Sequence, residues 1–341
     1  MLPAVLYSLK ERAFAGSRGC KFAQGVRTEA KRKMKSVKNK KGIPGDGLVH
    51  NYLVRNPHTK FIFPAMLTMV VMSIIPTIFL FIISLTNYQL GWDFSRAKFV
   101  GLQNFMRLFS GSDPDFWHSV FISLAFMLLA TAIEMILGFL IAMLLNSWEF
   151  KLKALVIGIL IIPLATTPSI AAQMWKLMFN AEYGILNYYL QLLFNVKVTW
   201  LSSDMAFWSV LLVDIWQFTP FVTLIVYAGL RSMPHEPYES AAIDGASAWQ
   251  ELTRITIPMM HKLLYLALLF RAIDSLKLFD TAYVLTQGGP GNATEFLSLH
   301  IYRMANAQNG LIGRAAAIAI VLLVLVTVIS SILIRQQRKE D

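Results

Sequence analysis

Apolar residues in this chain come in long runs, and that feature limits the fold more than any other. A helix needs about 20 mostly apolar residues to cross about 30 Å of hydrocarbon. Six stretches meet that length: Phe61 to about Thr86, Phe116 to about Leu145, Leu152 to about Phe179, Ala206 to Leu230, Ile257 to about Phe279 and Leu311 to Ile334. The fifth is the weakest in hydropathy. Pro64 and Pro76 fall in the first, and Pro163 and Pro168 in the third. Neighbouring helices can satisfy the carbonyls that such prolines free. Only 15% of the 341 residues are charged, against about 25% in a soluble domain. The expected fold class is therefore an all-α membrane protein with six transmembrane helices.

The net charge of +11 belongs mainly to one end, since 14 of the 31 Lys and Arg residues precede residue 61. A basic tail beside a membrane helix sets topology or touches anionic membrane lipid, and no nucleic-acid module accompanies it. With a cytoplasmic N-terminus, the inner segments hold 22 basic residues and the outer ones 5. That split predicts cytoplasmic N- and C-termini. Residues 1–59 read as a basic, mostly disordered tail, 60–335 as the transmembrane domain, and 336–341 as a short cytoplasmic tail. Leu2 to Leu9 is too short and interrupted for a signal peptide. Cys20 is the only cysteine, so no internal disulfide forms. Tyr183 to Leu193 is too short to cross and rich in aromatics, which predicts a short helix on the outer surface. The absence of an internal repeat argues against carriers built from two tandem halves.

The loop between the fourth and fifth stretches carries the most information. Pro237 suits a first helical turn. Ser240, Ala241 and Ala242 form a small-residue patch, and Gly245 can end the helix in a left-handed conformation. Trp249, Leu252 and Ile255 follow at three-residue spacing, and Pro258 opens the fifth span. Physically this is a helix–turn–helix outside the membrane. It is either an ordinary hairpin between spans or a docking face.

The order Glu239, Ser240, Ala241, three residues, Gly245, nine residues, Ile255, one residue, Ile257, Pro258 resembles the EAA loop of ABC-importer permeases. That family has Glu-Ala-Ala, then Gly, then Ile-x-Leu-Pro at these spacings. Ser240 and Ile257 depart from it by small changes. Asp244-Gly-Ala-Ser and the run from Phe279 through Asp280 to Pro290 are similar to the carbohydrate branch, the relatives of the maltose and glycerol-phosphate subunits. So are Gly184 to Asn187 and Trp200-Leu201. The resemblance covers roughly residues 60 to 335 and implies a type I ABC importer permease fold with a cytoplasmic coupling helix in loop 233–258. It implies that Glu239, Ser240, Ala241, Ala242, Asp244, Gly245, Ile255, Ile257 and Pro258 couple the chain to a separate ATPase. The implied partners are a second permease subunit, two ATP-binding subunits carrying ATP and Mg, and an extracytoplasmic solute-binding protein. The implied location is the bacterial inner membrane.

No Gly-x-x-x-x-Gly-Lys-Ser/Thr loop occurs, so ATP hydrolysis is expected on the partners, and no cofactor is expected on this chain. His50, His58, His118, His235, His261 and His300 show no metal-ligand spacing, and no nucleophile elbow is present. Ionisable residues inside a bilayer must pair or face a cavity. Arg271, Asp274, Lys277 and Asp280 alternate in sign at every third position of the fifth stretch. They read either as a lining that meets substrate hydroxyls or as an ion-pair seam against a partner permease. Asp214, Trp216 and Gln217 suit a sugar-binding wall or a packed bundle seam. Glu134 is a cavity residue or a structural carboxyl. An ion-gradient-driven secondary transporter is the alternative reading, but the docking loop has no purpose there. A membrane enzyme lacks its chemistry here, and an exporter half more often carries the ATPase on the same chain.

Overall fold

The computed structural model describes residues 57–147, 151–306 and 310–339. The expectations for residues 1–56, with Cys20 and His50, and for 340–341 lie outside them. The described residues fall into two units, one ending at Ile75 and the other beginning at Pro76.

Helix α1, Pro57–Ser84, is apolar on every side. In the first unit its Met69 and Met72 are 70% and 72% exposed. Such a surface is costly in water and suits hydrocarbon.

In the second unit, α2 (Gln103–Phe109) precedes the long helix α3 (Pro114–Ser147). Helices α4 (Lys153–Ala165) and α5 (Pro168–Met178) follow, then α6 (Ile185–Phe194) and α7 (Ala206–Ser232). The loop helices are α8 (Glu236–Ile243) and α9 (Ala248–Glu251). A π-helical turn, Leu252–Thr256, leads into α10 (Ile257–Leu276). Helices α11 (Asp280–Leu285), α12 (Leu297–Asn306) and α13 (Ile312–Lys339) complete the order. Among the described residues, five helical stretches are long and apolar enough to cross a membrane, and a bent pair brings the number to six. The described residues hold no strand beyond an isolated bridge between Thr86 and Phe99.

One expected span is broken, and another has a short step near its end. The third is broken, with α4 and α5 meeting at 97°. Thr167 is extended (φ −69°, ψ 143°) because the ring of Pro168 disfavours helix for the residue before it. Gln217 Nε2 donates to the Thr166 carbonyl at 3.0 Å, capping one group freed by the break. The fifth was expected to run to about Phe279, but α10 stops at Leu276, and α11 starts afresh at Asp280. Arg271, Asp274, Lys277 and Asp280 therefore do not share one helix.

Small residues let the helices approach. A Cβ on Gly138 of α3 would fall 2.7 Å from Val222 Cβ on α7. Aromatic rings fill another part of the core, with Phe126 and Phe296 4.9 Å apart edge to face. Asn104 of α2 donates to the carbonyls of Ser84 and Thr86, both at the end of α1, at 2.7 and 2.8 Å.

Candidate functional site: a buried charge triad, an open cavity and a protruding loop

Helices α3, α7 and α10 each bring one ionisable side chain to a single buried point. Glu134 is 0% exposed, and Asp214 and Arg271 are 1% exposed. Arg271 donates through Nε to Glu134, and its Nη2 lies 2.8 Å from Glu134 Oε1 and 2.8 Å from Asp214 Oδ2. Ser275 Oγ accepts from the same nitrogen at 3.0 Å. The guanidinium carbon lies 4.2 Å from the centre of the Phe218 ring. A lone ion at this depth would cost several kcal/mol, and pairing offsets that cost only while every member stays in place. The triad therefore holds the three helices in register.

Arg271 and Asp214 also border a cavity of about 280 Å³. Asp274, Lys277, Phe279 and Asp280 form much of its remaining wall, with Pro168 and Thr281 beside them. Lys277 Nζ is 3.9 Å from Asp274 Oδ1, and both side chains are about half exposed. Asp280 Oδ1 accepts from Ser169 Oγ at 3.3 Å, which ties the first turn of α5 to the wall. Ring faces beside carboxylates suit a polyhydroxylated solute, which offers C–H faces to rings and hydroxyls to carboxylates.

The loop is compact. Pro237 lies in the first turn of α8, and Gly245 follows the helix at φ +73°. Ser247 and Gln250 form a reciprocal capping box at the start of α9. Glu239, Ser240, Ala242 and Asp244 are exposed, whereas Ala241 is turned inward at 8% exposure. Ile243 and Trp249 are 87% and 71% exposed. Large apolar side chains this open, beside small ones, make a contact surface.

Residues 134–339 match the family described as "Binding-protein-dependent transport system inner membrane component". The chain belongs to this family. It is thus a multi-pass inner-membrane component of a transport system. The trehalose/maltose transport system permease protein MalF of Thermococcus litoralis is 39% identical over 231 residues, 67% of this chain and 77% of that one. The sulfoquinovosyl glycerol transport system permease protein SmoG of Agrobacterium fabrum is 31% identical over 252 residues, 72% of this chain and 79% of that one. Among solved structures, a bacterial ABC transporter involved in the import of the acidic polysaccharide alginate matches with a TM-score of 0.72 at 22% identity. The match covers 85% of this chain and 98% of that one. The permease therefore has the type I ABC importer permease fold.

The structure distributes the expected pathway residues of the permease over three settings. Glu134, Asp214 and Arg271 meet in the triad, whose pairing across helices is invisible to local spacing. Asp274, Lys277 and Asp280 reach the cavity. Trp216 packs on Trp175 with ring centres 5.5 Å apart, inside the aromatic core, and Gln217 serves the helix break. Phe218, next in sequence to Gln217, lines the cavity together with Phe279. Sequence reasoning missed it, together with Phe279 and Ser169. Its signal was the aromatic alternation of Trp216 and Phe218 around Gln217, which a helix turns to different sides. Among the described residues no group of three or more His, Cys, Asp or Glu could hold a metal ion.

A second charged cluster sits in the connection between α11 and α13. His300, 1% exposed, lies 2.9 Å from Glu295 Oε1 through Nδ1 and 3.1 Å from Asp113 Oδ2 through Nε2. With a carboxylate at each ring nitrogen, the site favours the doubly donating, charged form of the ring. Burial pushes the His300 pKa down, but the hydrogen bond to Glu295 and the charge of Asp113 outweigh it, and the net shift is upward. Arg303 pairs with Glu295 as well.

Proposed function

We propose that this chain is a transmembrane permease subunit of an ATP-driven importer for a sugar or sugar-like solute. The observation that carries this reading is the protruding loop 236–258, with exposed Ile243 and Trp249, in a chain of the binding-protein-dependent family. The named relatives, which carry trehalose, maltose and sulfoquinovosyl glycerol, support the solute class. ATP and Mg bind to two separate ATPase subunits, and α8 docks into a cleft on one of them. Glu239, Ser240, Ala242, Asp244 and Gly245 face that cleft. Ala241 braces the loop from inside, and Ile255, Ile257 and Pro258 join it to α10. A second permease completes the pathway, and an extracytoplasmic binding protein delivers the solute. A solved alginate ABC transporter with a TM-score of 0.72 is in complex with such a periplasmic protein. Both termini are cytoplasmic on this reading, and the loop projects to the same side. The cavity walled by Asp274, Lys277, Phe279 and Asp280 is this subunit's half of the solute path. Transport assays on the alternative, an ion-gradient carrier, would find no role for the loop.

The test is a disulfide trap. Ile243→Cys, in a Cys20→Ser background, is paired with single cysteines placed around the ATPase cleft. A cross-link that changes with nucleotide supports docking. The absence of any cross-link across the cleft refutes it.

A further inference from the structure

Loop and span are joined by more than the chain that connects them. The covalent route from α8 to α10 passes through the Gly245 turn at φ +73° and the short helix α9. A push on α8 would be absorbed along that route. A direct contact bypasses it. The Tyr238 hydroxyl on α8 lies 3.2 Å from Thr256 Oγ1, at the foot of α10. Thr256 is 4% exposed, and its hydroxyl reaches both the Glu251 carbonyl at 3.3 Å and the Tyr238 oxygen, so its one proton serves either. The Tyr238 hydroxyl donates to Met233 Sδ at 2.9 Å, at the end of α7, so toward Thr256 its oxygen accepts.

Thr256 closes an unusual turn. In Leu252–Thr256 the Ile257 N–H donates to the Leu252 carbonyl, one residue further back than in an α-helix. Such π turns are rare and collect at functional sites. A cavity of about 240 Å³ adjoins the contact, lined by Met143, Asn146, Tyr238, Glu251 and Thr256 among others. The Tyr238 ring therefore has room to move with α8, while its hydroxyl holds the π turn.

We propose that Tyr238 is a positioning residue whose hydrogen bond to Thr256 carries displacement of α8 into the π turn, and so into α10 and the cavity wall. This inference rests on the reading of the loop as the ATPase docking element.

The test needs no knowledge of the solute. In the copurified complex, with Cys20→Ser, the cavity reporter is Lys277→Cys, and the readout is its rate of labelling by a maleimide. Trapping with MgATP and vanadate is expected to change that rate. Tyr238→Phe keeps the ring and removes the tyrosine oxygen, and Thr256→Val keeps the shape and removes the threonine hydroxyl. Each is expected to shrink the nucleotide-dependent change about fivefold, the worth of one net hydrogen bond. The double variant is expected to do no worse than either single one, since both remove the same contact. A full nucleotide response in Tyr238→Phe overturns the proposal, and so does an additive loss in the double variant. A purely structural role would lower the yield of assembled complex and leave the response per complex intact. If the parent complex shows no nucleotide response and no Ile243→Cys cross-link, the docking reading itself fails. A cross-link with an unaltered response in Tyr238→Phe removes the Tyr238 proposal alone.

Discussion

Arg271 Nη2 sits 2.8 Å from Asp214 Oδ2, joining α10 to α7 in a place where neither side chain reaches bulk solvent. Glu134 takes the other donors of the same guanidinium. This arrangement predicts an asymmetric response to mutation. Arg271→Met leaves two buried carboxylates facing each other and is expected to cost about 3–5 kcal/mol. Asp214→Asn or Glu134→Gln leaves one carboxylate on the arginine and is expected to cost clearly less. Thermal unfolding of the purified complex ranks the three. Equal losses would mean that the triad does not act as one unit.

The cavity wall makes a separate prediction about transport. Asp280→Asn and Asp274→Asn are expected to leave assembly with the partner subunits intact and to weaken uptake about tenfold or more, the worth of a hydrogen bond to a charged group. Copurification reports assembly, and initial uptake rate reports the path. Loss of assembly would place these residues in a subunit seam instead.

His300 gives the account a pH dependence. Its folded pKa lies above the ordinary value, so its charged form is favoured by folding. The contribution is complete below about pH 6.5, the unfolded value, and disappears as pH rises through the raised folded value. Melting temperature is therefore expected to fall as pH rises above about 6.5 more steeply in the parent protein than in His300→Gln. Parallel curves would show that the cluster is not held by charge.

Close backbone approach makes a sterically sharp prediction. A Cβ on Gly313 of α13 would fall 2.1 Å from the Thr86 carbonyl oxygen, whereas one on Gly158 of α4 meets nothing within 4 Å. Gly313→Ala is expected to cost about 1–3 kcal/mol through forced backbone movement. Gly158→Ala is expected to be neutral or mildly stabilising, since alanine favours helix. Melting curves of the two variants provide the check.

The parts legible in sequence are those set by local physics. Hydropathy marks the spans, and Pro237, Gly245 and Pro258 mark the turns of the loop. The break between α4 and α5 carried its signal in Thr167-Pro168, but a hydropathy window averages across it. The stop at Leu276 had no equivalent marker, because helix-favouring residues surround it. The meeting of Glu134, Asp214 and Arg271 depends on three helices packing, with Gly138 admitting Val222. No local pattern encodes that. The inward turn of Ala241 is likewise set by the hairpin, where Ala246 N–H donates to its carbonyl at 2.9 Å.

The central claim is that ATP, hydrolysed elsewhere, drives solute through this subunit. Proteoliposomes holding the copurified complex, with its binding protein outside, decide it directly, using radiolabelled maltose and trehalose with a wider oligosaccharide panel as probes. The account predicts uptake that requires MgATP on the ATPase side and survives both a protonophore and a sodium ionophore. Uptake that proceeds without ATP and collapses with either gradient would contradict it.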